Sequence, residues 1–197
     1  MIISFTFSAC KKTEEKKIEV DFKSAIETQS FAKNYLYENF QLKIDSVFIL
    51  NFSSDSLKSL VAFQEISNDK EAGMKIFNFT IGDTSLTKTF ESNLLDGSIE
   101  GSSIQQVTLP EFTYQLLYYN SLDYFTGSRG GDIFLYLVDS KLNEIYYAHL
   151  SITAKRNPRL FISENTKLPT VRKFFNDELK NDFPNLVISR KDIKSDL

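Results

Sequence analysis

Residues 132–152 contain the feature that most limits how this chain can fold. A run from Asp132 to Val138 is followed by Asp139-Ser140-Lys141-Leu142-Asn143 and then by a second run, residues 144–152. Two β-forming stretches of similar length around a polar, turn-prone pentapeptide predict an antiparallel hairpin. After Asp132 the first arm is continuously apolar. It is hidden from water only if it lies centrally in a sheet whose faces are both covered.

Other short runs extend this picture. Residues 47–52, 60–66 and 74–81 are β-branched or aromatic and are separated by Ser/Asn/Asp/Gly punctuation. In the third, Ile76, Asn78 and Thr80 alternate with Phe77, Phe79 and Ile81, which predicts one buried face and one half-wet face. Residues 86–91 read as a further strand, and 94–103 as turns and loop. Residues 110–125 fit two states. Pro110 suits the first turn of a helix, whereas Phe112, Tyr114, Leu116 and Tyr118 alternate as in a strand, the reading favoured here. A helix is expected over residues 24–40, with Ser24 and Glu27 spaced as a capping box, and another over 170–182. Residues 186–189 suit a last edge strand, and the charged end of the chain should fray. Together these elements predict a single α+β domain: a mostly antiparallel sheet with an N-terminal and a C-terminal helix packed on it.

Composition narrows the function classes. The 197 residues carry 23 Lys+Arg against 26 Asp+Glu, a net charge of −3, so no nucleic-acid partner is expected. With 18 Phe and 9 Tyr there is ample material for a core. One Cys precludes an internal disulfide, and one His precludes a multi-histidine metal site.

The single Cys sits in an informative place. Ile2-Ile3-Ser4-Phe5-Thr6-Phe7 is mostly apolar, Ser8 and Ala9 are small, and Cys10 is followed abruptly by Lys11-Lys12-Thr13-Glu14-Glu15-Lys16-Lys17. Phe7-Ser8-Ala9-Cys10 resembles the lipobox of bacterial lipoproteins. The resemblance implies lipid on the Cys10 thiol, cleavage just before it, and a body held in the cell envelope outside the cytoplasm. It implies a domain plan of signal peptide remnant 1–9, lipid-anchored tether 10–20, folded body 21–190 and tail 191–197. The apolar run is far shorter than the roughly 20 residues needed to span a bilayer, so the membrane would be reached through the lipid on Cys10.

No motif announces catalysis. The chain lacks G-x-S-x-G, H-E-x-x-H, C-x-x-C and a Walker lysine loop, and no cofactor is implied. His149 lies on the second hairpin arm, on the face of Ile145 and Tyr147, and reads as a sheet histidine bonded to a neighbour or facing water. Gly127-Ser128-Arg129-Gly130-Gly131 leads into a strand rather than a helix, so it reads as a connection; an anion nest around Arg129 is the alternative. Tyr118, Tyr119 and Tyr124 precede that loop, and Tyr146 and Tyr147 follow it. Rings with a polar tip suit protein or glycan surfaces, and equally suit a core. The expected function is therefore non-enzymatic binding of a protein or glycan partner through Tyr118, Tyr119, Tyr124, Arg129, Tyr146 and Tyr147. The alternatives are a carboxylate-dependent envelope hydrolase using Asp123 and Asp132, and a structural subunit of an envelope assembly.

Overall fold

A computed structural model of the protein describes residues 21–51, 58–96, 103–121 and 130–194. Cys10, Asp123, Tyr124 and Arg129, with the lipobox and tether, lie outside the described residues.

The expected first helix is divided into α1 (Phe22–Ala25) and α2 (Gln29–Phe40). The predicted capping box does not form. Asp21 caps α1 instead, accepting from the Lys23 N–H (3.3 Å) and the Ser24 hydroxyl (2.7 Å). Thr28, in extended conformation, starts α2, and its hydroxyl donates back to the Ala25 carbonyl at 2.8 Å. Gln41 closes α2 in the left-handed region, φ 58°, donating its N–H to the Tyr37 carbonyl.

Strands follow: β1 (Ser46–Asn51), β2 (Lys58–Ser67), β3 (Ala72–Ile81) and β4 (Leu86–Glu91) form one four-stranded antiparallel sheet in chain order. A second sheet has six strands: β5 (Ser103–Val107), β6 (Leu116–Asn120), β7 (Gly130–Asp139), β8 (Glu144–Thr153), β9 (Arg159–Ile162) and β10 (Val187–Ile188), in the order β10-β9-β8-β7-β6-β5. Only β9 and β10 run parallel there. The helix α3 (Pro169–Lys180) connects them. The protein is thus mostly β, with two sheets where one was expected.

Several expectations follow through, and others are corrected. The hairpin forms as β7–β8, and β7 lies inside the six-stranded sheet. In the ambiguous stretch, strand wins at Leu116–Asn120, while residues before it turn through a bond from the Phe112 N–H to the Leu109 carbonyl at 2.9 Å. Strands β5 and β9 fall where no strand was firmly expected. The end of the chain does not fray as far as residue 194. Ile193 pairs with Ser163, and Arg172 grips the Asp192 carboxylate at 2.7 and 3.3 Å.

Strand alternation sorts side chains into three buried clusters. Leu60, Ala62, Phe77 and Phe79 face Ala32 and Leu36 of α2. Leu135, Leu137, Tyr118 and Tyr146 face Val171, Phe175 and Leu179 of α3. Between the sheets, Val61, Phe63, Met74 and Ile76 meet Leu117, Tyr119, Tyr136, Val138 and Ile145. This third cluster corrects the half-wet face expected for β3: Ile76 and Asn78 are buried because the second sheet covers them. Asn78 is satisfied there. Its side-chain amide donates to the Ser140 carbonyl (2.6 Å) and Asn143 Oδ1 (2.7 Å), and its oxygen accepts from the Ser59 hydroxyl.

Candidate functional site

The six-stranded sheet is wider than the four-stranded sheet packed against it, and the half-buried part of its inner face carries the most distinctive chemistry among the described residues. Register places side chains there in cross-strand rows. Tyr136 lies opposite Tyr147; Phe134 opposite His149, which lies opposite Phe161; and Asp132 opposite Ser151, which lies opposite Arg159. One glycine lets β7 begin flush against β8. Gly130 has φ 113°, and a Cβ there would come within 2.1 Å of the Ile152 carbonyl oxygen. Ser121 extends the pairing on the other side of β7, its hydroxyl accepting from the Phe134 N–H at 2.9 Å.

The rows produce a continuous ladder of rings. Centroid separations are 5.6 Å for Tyr119–Tyr136, 5.2 Å for Tyr136–Tyr147, 6.2 Å for Tyr147–Phe134, 4.8 Å for Phe134–His149 and 6.0 Å for His149–Phe161. Every pair is stacked, with interplanar angles from 12° to 29°. The ladder starts in the core, where Tyr119 and Tyr136 are buried, and ends among half-buried rings. Among the described residues Phe161 packs against none of the three buried clusters, although it is a large apolar side chain in a strand.

Polar groups cluster at the outer end. His149 Nε2 and Asp132 Oδ1 form a hydrogen-bonded pair 2.6 Å apart. Beside Phe161 is a cavity of about 80 Å³ lined by Ser151, Thr153, Arg156, Asn157 and Arg159 as well as that ring. A second, larger cleft of about 510 Å³ runs past Phe90, Glu144, Glu164 and Lys167. It mixes both signs of charge, and its two amides are already engaged: Asn143 accepts from Asn78, and Asn165 donates to the Ile145 carbonyl at 2.9 Å.

The predicted site residues divide sharply. Tyr118, Tyr119 and Tyr146 are buried, so the expectation that their rings form an exposed surface is corrected. Tyr118 and Tyr146 lie under α3 and Tyr119 lies between the sheets. Of the predicted tyrosines that are described, only Tyr147 is half-buried, and it lies in the ladder beside Tyr136. Burial pushes the hydroxyls of Tyr118, Tyr136, Tyr146 and Tyr147 far above the ordinary tyrosine range. The residues the sequence reading missed are Phe134, Phe161, Arg156 and Arg159. The alternation of Phe134 with its neighbours carried a usable signal. The other three depend on β9, which has no turn or periodicity signature of its own.

Among the described residues no three His, Cys, Asp or Glu side chains come together to hold a metal, and no helix is long and apolar enough to cross a membrane. No protein-family model matches the chain, and neither a curated protein nor a solved structure is significantly similar to it.

Proposed function

We propose that this chain is a lipid-anchored protein of the bacterial cell envelope whose α+β body, flanked by its N-terminal and C-terminal helices, binds a protein or glycan partner without catalysis. The anchoring half rests on Phe7-Ser8-Ala9-Cys10. The binding half rests on one observation above all: a stacked ladder that leaves the core and ends on Phe161, a half-buried ring outside every buried cluster described. An aromatic residue gains little from such a position in folding, and gains more when a partner completes its burial.

Both halves have direct tests. Cys10→Ser in the full-length chain abolishes lipid labelling and moves the protein to the soluble fraction with its fold intact. Continued membrane association overturns the anchor. For the binding face, Phe161→Ala weakens capture of an envelope partner by about 2 kcal/mol, while the unfolding midpoint barely moves. A variant that captures as well as the parent places the partner elsewhere.

One observation favours a second reading. The Asp132–His149 pair, with Ser151 in the neighbouring row, has the elements of a general base, as the carboxylate-dependent hydrolase alternative requires. Turnover of a chromogenic ester or glycoside that is lost in His149→Gln would establish that reading. A panel with no turnover leaves the binding module.

A further inference from the structure

The small cavity beside Phe161 differs from the larger cleft past Glu144, Glu164 and Lys167 in the sign of its charge. Among the described residues its lining contains two guanidinium-bearing residues, two hydroxyls and one amide, and no carboxylate. The chain as a whole is net negative, so a locally cationic hollow is not a by-product of composition. The guanidinium groups of Arg156 and Arg159, both on exposed residues, have no hydrogen-bonded or ionic partner among the described residues. Arg172, by contrast, is fully engaged with Asp192 and the Thr166 carbonyl. Asp132, in the same cross-strand row as Ser151 and Arg159, is occupied by His149.

Backbone geometry sets where the two exposed arginines leave the chain. Arg159 sits in β9 opposite Ser151. Arg156 follows Lys155, a non-glycine residue in the left-handed region at φ 67°, and donates its N–H to the Thr153 carbonyl at 3.2 Å. Such a conformation costs about 1 kcal/mol and persists where surrounding structure enforces it. About 80 Å³ is space for two or three waters, enough for a single oxyanion and too little for a ring. Phe161 is both a wall of this hollow and the terminal ring of the ladder, so a flat group tethered to the anion can extend the stack. A strand-forming peptide is not offered an edge here, because β9 is paired on both sides, by β8 and β10.

We infer that Arg156, Arg159, Ser151 and Thr153 form an anion subsite that, together with Phe161, takes a saccharide ring bearing a carboxylate, sulfate or phosphate. This deepens, and rests on, the proposal that the open inner face is the binding surface. Guanidinium forks match oxyanions in two-point geometry, and the C–H face of a pyranose is complementary to the negative face of an aromatic ring.

The test is isothermal titration calorimetry on the full-length protein in detergent. The probes are trigalacturonate, a dextran sulfate oligomer and glucose 6-phosphate, against maltotriose, inorganic phosphate and oligoglutamate. The expected result is binding of at least one charged saccharide that is about tenfold or more tighter than maltotriose, weakened by salt, and reduced about tenfold by Arg156→Gln or Arg159→Gln. Phe161→Ala should reduce it as well. Inorganic phosphate or oligoglutamate binding as tightly as the best saccharide overturns the saccharide assignment. Maltotriose binding equally well, or no charged saccharide binding at all, overturns the anion subsite. The envelope-partner capture sensitive to Phe161→Ala can survive either result, so failure of the subsite and failure of the binding face are read separately.

Discussion

Tyr136 and Phe161 are rungs of one ladder on one face of one sheet, with three rings between them, and their surroundings could hardly differ more. Around Tyr136 the four-stranded sheet closes over the ring, and the phenol hydroxyl donates to the Asp96 carbonyl at 3.0 Å. Around Phe161 no sheet closes among the described residues, and the neighbours there are His149, two arginines and a small hollow. Residue type does not set the role of either ring. Coverage by the second layer does, and it converts one part of a continuous surface into core while leaving the other half-buried.

Five measurements would break or sharpen that contrast. The largest effect belongs to Tyr136→Ala, which should cost about 4 kcal/mol in chemical denaturation, because it empties a fully buried site between the sheets. Next comes alkaline pH. Tyr118 and Tyr136 lose their protons only far above the ordinary tyrosine value, because burial disfavours the phenolate. The unfolded chain then holds fewer protons than the folded one above about pH 10, so stability falls as pH rises through that value. One pH unit higher, the two together withdraw about 3 kcal/mol. Ultraviolet titration should show late phenolate absorbance coinciding with unfolding.

Asn78→Ala follows, at about 2 kcal/mol, since it strips the buried Ser140 carbonyl of its partner across the two layers and leaves the Ser59 hydroxyl only the Phe79 carbonyl. At the open end, Phe161→Ala should cost only about 1 kcal/mol or less; a loss as large as that of Tyr136→Ala would erase the distinction between the two ends. The smallest effect lies on the edge strand β4. Glu91 is held below the ordinary glutamate range by Lys88 and then Lys75. A depressed folded-state value means that this contribution is complete above the unfolded value near about pH 4.3 and is lost as pH falls through the folded one. The pair is partly exposed, so Glu91→Gln should cost about 0.5 kcal/mol or less at neutral pH, measured by thermal melts at low and high salt.

Much of the secondary structure was legible along the chain because it is set locally. β4 falls on residues 86–91 as expected, and the β7–β8 hairpin follows from two apolar runs around Asp139. Asp139 shows why that turn is strong: its carboxylate accepts from the Lys141 and Leu142 N–H groups, both at 3.0 Å, and from the Tyr114 hydroxyl at 2.8 Å. The misplaced cap at the first helix has an equally local cause. Asp21 and Ser24 both offer side-chain oxygens, and the sequence pattern cannot rank them.

The candidate site was legible only in part, through Tyr147 and the pairing of His149 with a neighbour. By itself the amino-acid sequence determined a β-rich chain with ample aromatic core, a central apolar hairpin and a lone cysteine in a lipobox-like setting. Only the tertiary structure decided that the strands divide into two sheets of unequal width. That division buries Tyr119 between the sheets, α3 buries Tyr118 and Tyr146 on the opposite face, and Phe161 is left half-buried. The physical reason is that alternation fixes which residues share a face, whereas burial depends on a second layer brought there by contacts distant along the chain.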